Sequence, residues 1–395
     1  MPANLSFDLK MDRRLRDKII GRILGSLLLF VVPLVSAQTK SQPIEPEPSR
    51  DRPLLEIDLR KYGYEPHGNG ARMEPLSLAF TQSNDLLVAW TTTDESQSKK
   101  EIRSTTPIPS HLHGLIVDPR TGQKERGGEW PSRYLHASIT PVGKDMFLIC
   151  ARDEIQLLSH DFVTVQDQVL SPPNTCQGMR ISPNRHSFST RTGTEYNLID
   201  AESFQPVAEW SSKEAIDVHF TDSLLVGVCR PDIGLCIRRF DQDWQPLRAV
   251  GVLQRPQALG HQGTAFVNDS TLAIANAGEM TVVTLEGAML FRVNLPKKFS
   301  FARIATSTDG NRFAYIETKL RGSKALDMYS NLDDHVVVYD LGPKTAVYAR
   351  KVNGGSLWIP PFEHRNQIAL SSDGALLAIL DNGILEVYSL PAPKD

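Results

Sequence analysis

Ten histidines and four cysteines are the side chains of this 395-residue chain best suited to ligate a metal or form a covalent bond. His111-Leu112-His113 is the most suggestive group. On an extended strand, side chains repeat every second residue, so both imidazoles face the same side. Two imidazoles are half of a zinc or copper site, which needs a third or fourth donor. The spacing supplies no such donor, so the sequence names no metal ligand. His136, His219 and His261 sit in or just before short apolar segments. If those segments line a common axis, the three imidazoles gather at its mouth as channel-mouth candidates. Against this stands the common structural role of a histidine at a strand start.

Cys150, Cys176, Cys229 and Cys236 form an even set, which in an exported chain points to disulfides. The stretch Val228–Cys236 reads as a hairpin turning at Pro231–Gly234, which sets Cys229 opposite Cys236 within bridging distance. Cys150 and Cys176 then pair by elimination. The alternative is buried, unpaired thiols that merely pack.

Motifs that would name a reaction are missing from the sequence. There is no G-x-S-x-G, H-E-x-x-H, P-loop, G-x-G-x-x-G or C-x-x-C-H. No residue is therefore assigned as catalytic, and no cofactor is expected. Asp241-Gln242-Asp243 lacks the glycine and distal glutamate of a calcium loop and reads as a turn. Asn268-Asp269-Ser270 matches a glycosylation sequon but also reads as a turn. Trp130, Trp210 and Trp244 fall at or near outer strands, where packing between sheets accounts for them.

What must position these side chains is a repeat. A short apolar strand, a polar turn and a strongly apolar strand recur seven times, each followed by a third strand and, in six cases, a tight turn and a fourth. The second strands begin at Leu86, Met146, His186, Leu224, Thr271, Phe313 and Leu376. The base period of about 40 residues is the size of a four-stranded unit. Two longer intervals arise from polar insertions, Thr91–Pro109 and Lys319–Asp334. Both lie between second and third strands, so both are expected on one face. The seventh copy ends at its third strand, Ile384–Leu390, while Leu54–Leu59 is left over at the other end. Pairing these two closes a ring and removes its exposed edges.

The rhythm, with turns such as Ser307-Thr308-Asp309-Gly310 and Ser371-Ser372-Asp373-Gly374, resembles the WD40-like β-propeller superfamily, including secreted bacterial propellers with quasi-regular blades. The strict Gly-His and Trp-Asp signature is absent. Only Ile199-Asp200 and Tyr339-Asp340 stand where the second dipeptide would. The resemblance implies an all-β, seven-bladed propeller whose N-terminal strand completes the C-terminal blade.

Residues 1–37 read as a signal peptide. Arg13, Arg14, Arg16, Lys18 and Arg22 precede the apolar run Ile23–Val35, and Val35-Ser36-Ala37 offers small residues for cleavage. An uncleaved anchor over Ile19–Ala37 is the alternative, and the only membrane attachment expected. Residues 38–53 form a Pro-rich linker too polar to bury a core, and 54–395 form the propeller. Removing residues 1–37, with six Lys/Arg and three Asp/Glu, turns the net charge from −3 to −6. An acidic body argues against nucleic acid as partner. The expected protein is a secreted or periplasmic monomer, not an enzyme, that binds a protein, peptide or glycan on one face. The alternative is a propeller hydrolase, lactonase or lyase using the central channel, with or without a metal.

Overall fold

Alternating apolar strands broken by Asn, Asp and Gly turns give antiparallel sheets here, and little else. The only helical element among the described residues is a single 3₁₀ turn, Leu59–Tyr62. The structure is a computed structural model. It describes residues 52–64, 76–93, 110–132, 137–151, 154–169, 179–229, 234–247, 264–276, 279–295, 299–323, 328–352, 367–381 and 383–392. The signal and most of the linker predicted from sequence lie outside these residues.

The strands sort into seven separate sheets, each running from an inner first strand to an outer last one. Blade 1 is Leu76–Phe80, Leu86–Thr93, Ser110–Val117 and Lys124–Ser132. Blade 2 is Ser138–Val142, Met146–Ala151, Glu154–Leu158 and Thr164–Val169. Blades 3 to 6 follow in chain order. The seventh sheet closes the array. Its inner three strands are Gln367–Leu370, Leu376–Asp381 and Ile384–Ser389, and its outer strand is Leu55–Asp58 from the other end of the chain. That strand pairs antiparallel with Ile384–Ser389, setting Leu55 opposite Val387 and Asp58 opposite Ile384.

Core side chains prove the circle. Apolar residues do not form one central core but seven clusters, each between two neighbouring blades. Blades 7 and 1 share Leu59, Phe80, Leu86, Trp90, Leu380 and Val387. Blades 3 and 4 share Leu198, Trp210, Phe220 and Leu225. Every other junction has its own cluster. Both faces of each sheet are thus buried, which is why the second strands (Leu-Leu-Val-Ala-Trp, Met-Phe-Leu-Ile-Cys) are apolar without alternation.

Blade 3 departs from the four-strand expectation. Its sheet has three strands among the described residues, and Ile181 contributes only an isolated bridge to Phe188. The Arg180 N–H is taken by the Ser189 hydroxyl at 3.2 Å. A side chain there replaces the carbonyl a ladder would need. The outer strand of blade 4, expected over Pro246–Val250, is Gln245–Pro246 among the described residues, and residues 248–250 of the expectation lie outside them.

In such a meander the turns after first and third strands emerge on one face, and those after second strands on the other. On the first face the inner turns bond to one another. Ser372 N–H donates to Asn84 Oδ1 at 2.9 Å, and Ser83 Oγ donates to Asp145. Gly143 N–H donates to the Arg185 carbonyl at 2.9 Å, and Asn184 to Asp222. Asn268 donates to the Gly310 carbonyl and Asp309 N–H to the Ser372 carbonyl. Among the described residues these bonds bridge every junction except that of blades 4 and 5. Gly310 and Gly374 take φ of +72° and +65° in these turns, a conformation glycine adopts without strain.

The other face carries the extensions. In blade 6 the second and third strands, Arg312–Ser323 and Met328–Asp340, run 12 and 13 residues. Among the described residues their two flanking strands pair over a shorter span. The inner strand pairs no further than Lys319 and the outer one no further than Asp334. Leu320–Ser323 and Met328–Asn331 therefore pair only with each other among the described residues, as a two-stranded ribbon. The corresponding insertion of blade 1 lies outside the described residues, between Thr93 and Ser110.

Candidate functional site

Where the blade 1 extension departs, the two histidines of His111-Leu112-His113 acquire a shared partner. The outer strand sets Glu129 opposite His113. His111 Nδ1 lies 2.8 Å from one Glu129 carboxylate oxygen, and His113 Nδ1 lies 3.7 Å from the other. His113 stacks on Trp90 at 5.5 Å between ring centroids, and its Nε2 meets Thr92 Oγ1 at 2.8 Å. Burial holds the His113 imidazole below its ordinary pKa, with Glu129 pulling the other way. Blade 6 repeats the arrangement at the root of its own extension, where His335 Nδ1 is 3.0 Å from Glu317 and the two residues are register partners. Sequence spacing shows the His111–His113 pair. It does not show Glu129, which arrives from another strand.

The channel-mouth candidates do not resolve into a described cluster. His136 and His261 lie outside the described residues. His219 stands on the inner strand of blade 4, Ala215–Phe220. Burial, reinforced by the Arg180 guanidinium, drives its pKa well below the ordinary value, so it is neutral at pH 7. Arg180 in turn donates to the Val218 carbonyl at 3.0 Å.

Cys229 and Cys236 form a disulfide with Cα atoms 5.8 Å apart. The register is not the expected one. Cys229 opposes Gly234, and Cys236 opposes Gly227. The two cysteines are therefore not register partners, and the bridge runs diagonally. Cys150 is also disulfide-bonded, and Cys176 lies outside the described residues.

The tryptophans pack. Trp130 lies against Gly114 and Gly128 and meets Phe162 edge-on at 5.3 Å. Trp210 stacks on Tyr196 at 5.1 Å. Trp244 sits beneath Arg238, its indole N–H reaching Glu214. Asn268 accepts from the Ser270 N–H at 3.0 Å, as a turn residue does.

Sequence reasoning missed a second group, on the face of bonded turns. Asp85 ends the first turn of blade 1, Glu125 lies on its outer strand, and His160 comes from the outer turn of blade 2. One donor atom from each lies within 4.8 Å of the others, the single such trio among the described residues. Burial, followed by the charge of Glu125, holds the Asp85 carboxyl above its ordinary pKa, while His160 opposes the shift. The three residues are far apart in sequence, and no short motif joins them. In the first turn of blade 3, burial brings Arg185 down to about 10, and its Nη1 makes no hydrogen bond among the described residues.

A closed ring of seven antiparallel sheets, with strands Leu55–Asp58 and Ile384–Ser389 from opposite ends of the described chain in one blade, defines a seven-bladed β-propeller. Comparison with solved structures finds likenesses to several proteins. The WD40 domain of Neurospora crassa Pan2 aligns at 10% identity over 87% of this chain and 96% of its own, with a TM-score of 0.49. Kluyveromyces lactis Hsv2 aligns at 11% identity over 81% of this chain and 100% of its own, with a TM-score of 0.47. BamB from Moraxella catarrhalis aligns at 12% identity over 79% and 84%, with a TM-score of 0.40. These are likenesses of chain path alone. No family model and no curated protein matches the sequence.

Proposed function

We propose that this propeller is exported and binds an extended segment of a protein partner on the face that carries the blade 1 and blade 6 extensions. The observation behind this reading is the blade 6 ribbon. Beyond Lys319 and Asp334 its two strands pair only with each other among the described residues. Each outer edge presents main-chain N–H and C=O groups to which a peptide can add as a further strand. The opposite face is poorly suited to this, because its inner turns spend their polar groups on one another.

Export is supported by the basic, apolar and small-residue succession of residues 1–37. The Cys229–Cys236 disulfide supports an oxidising compartment. His111, His113 and Glu129, with His335 and Glu317, form two histidine–carboxylate groups at the roots of the extensions.

The test replaces residues 320–331 by an Asn-Gly turn and compares capture of envelope proteins with wild type and with Glu202→Lys, an exposed change on the opposite face. Partner capture lost in the trimmed variant and kept in Glu202→Lys supports the assignment. Capture unchanged by trimming overturns it. Mass spectrometry of the mature N-terminus tests export, with Gln38 expected as the first residue.

A further inference from the structure

We infer that Asp85, Glu125 and His160 bind one divalent transition-metal ion across the junction of blades 1 and 2. Two carboxylates and one imidazole bring a donor atom each to within 4.8 Å of one another. Metal–oxygen and metal–nitrogen bonds of about 2.0–2.2 Å require donors about 3.0–3.5 Å apart. The trio must tighten by about 1 Å, and Glu125, exposed on an outer strand, is free to swing in.

Among the described residues the Asp85 and His160 side chains make no hydrogen bond. Asp118, Asp200, Asp309 and Asp373 each accept backbone N–H groups of their own turns, at 2.7–3.0 Å. Their carboxylates are explained by turn chemistry. Asp85 differs. In its turn the Asp85 N–H donates to Thr81 Oγ1 at 3.0 Å, and among the described residues its carboxylate accepts no backbone N–H. His160 Nδ1 is buried and makes no hydrogen bond among the described residues, an arrangement that ordinarily costs free energy. The turn that presents His160 is braced, because Arg126 Nη1 donates to the His160 carbonyl at 2.7 Å and pairs with Asp161 at 2.9 Å.

Charge points the same way. Asp85 feels the repulsion of Glu125, Asp145 and Asp118, and a dication relieves it. One imidazole beside two carboxylates suits zinc, manganese or cobalt better than calcium or magnesium, which favour oxygen alone. Three protein donors leave further positions to water. Because His160 belongs to blade 2 and the carboxylates to blade 1, the ion also ties two blades together.

The experiment uses untagged, chelator-stripped full-length chain carrying His111→Ala and His113→Ala, which removes the other histidine cluster. Titration with Zn²⁺ is followed by calorimetry, and Co²⁺ binding by its visible absorption. One equivalent of Zn²⁺ and a Co²⁺ spectrum with nitrogen and oxygen character are expected. Asp85→Asn and His160→Ala should each weaken Zn²⁺ binding at least tenfold while the far-UV spectrum stays that of the parent. No binding at 100-fold excess Zn²⁺, or equal binding in His160→Ala, overturns the assignment. The outcome is independent of partner capture on the opposite face.

Discussion

Replacing Arg312 by methionine should unlatch blade 6 from blade 7. The Arg312 side chain is fully buried, at 0% exposure, beside Asp340 at 3%. Its guanidinium donates to the Gly374 carbonyl at 2.8 Å, the Pro391 carbonyl at 2.6 Å and Asp340 at 3.3 Å. One side chain thus joins its own blade to a blade 7 turn and to the C-terminal tail. Methionine fills much of the volume but strands the Asp340 charge in the interior. Breaking a buried pair in this way costs about 3–5 kcal/mol. With an unfolding entropy of about 2.1 cal/mol/K per residue, a ring of this size loses roughly 1.5 °C of Tm per kcal/mol, so a fall of about 4–7 °C is expected. Asp340→Asn keeps only one of the two acceptor oxygens that the guanidinium and the Gly342 N–H use separately, and should cost about 1–3 kcal/mol. The double variant removes both charges and should be more stable than the sum of the two losses predicts, by about 1–3 kcal/mol. Urea denaturation followed by tryptophan fluorescence measures all three. Additive losses within about 0.5 kcal/mol, or a single Arg312→Met loss below that figure, would refute the latch.

Other outcomes can be checked on the same instrument. Asp85 is held above its ordinary pKa, so its folded form favours the proton, and the stability this brings at low pH disappears as pH rises through the folded value. Metal-free Asp85→Asn should therefore denature at higher urea than wild type at pH 7, with the gap closing below about pH 4. His219 is depressed, so its contribution is present above the unfolded value near 6.5 and fades as pH falls below it. His219→Met should flatten the loss of stability between pH 7 and 5, and an unchanged slope would assign that loss elsewhere. Cys229→Ser with Cys236→Ser opens an eight-residue loop and should cost roughly 2.5 kcal/mol by chain entropy, read as a lower urea midpoint. Gly374→Ala forces a side chain into positive φ with its Cβ 3.0 Å from Arg312 Cδ; it should destabilise by at least 1 kcal/mol.

The architecture was legible because it is local. Each blade announces itself through a turn of Asn, Asp or Gly between two apolar runs, and the spare strand Leu54–Leu59 needed only a vacant edge, which Ile384–Ser389 provides. Failures came where a side chain overrides the ladder. Ser189 takes the Arg180 N–H and leaves blade 3 with a bridge in place of a strand. The Cys229–Cys236 hairpin is two residues out of the expected register, because Gly234, read as part of the turn, is instead the first residue of the returning strand. Sites were harder still. His111 and His113 are visible as a pair, but Glu129 is chosen by strand register. Asp85, Glu125 and His160 come from a turn, an edge strand and the next blade. Spacing along the chain carries no trace of such a meeting.

Sharing one blade between Leu55–Asp58 and Ile384–Ser389 imposes an order of events. A ribosome or translocon delivers the first of these segments long before the second. Until synthesis is finished, the early segment has no mate and the nascent molecule stays an open arc with two adhesive ends. The last contact to form is also the most distant along the chain, so closure is slow. It also serves as a completeness check: a polypeptide cut short anywhere before Ile384 cannot shut, and advertises its defect to whatever protease or chaperone patrols the compartment.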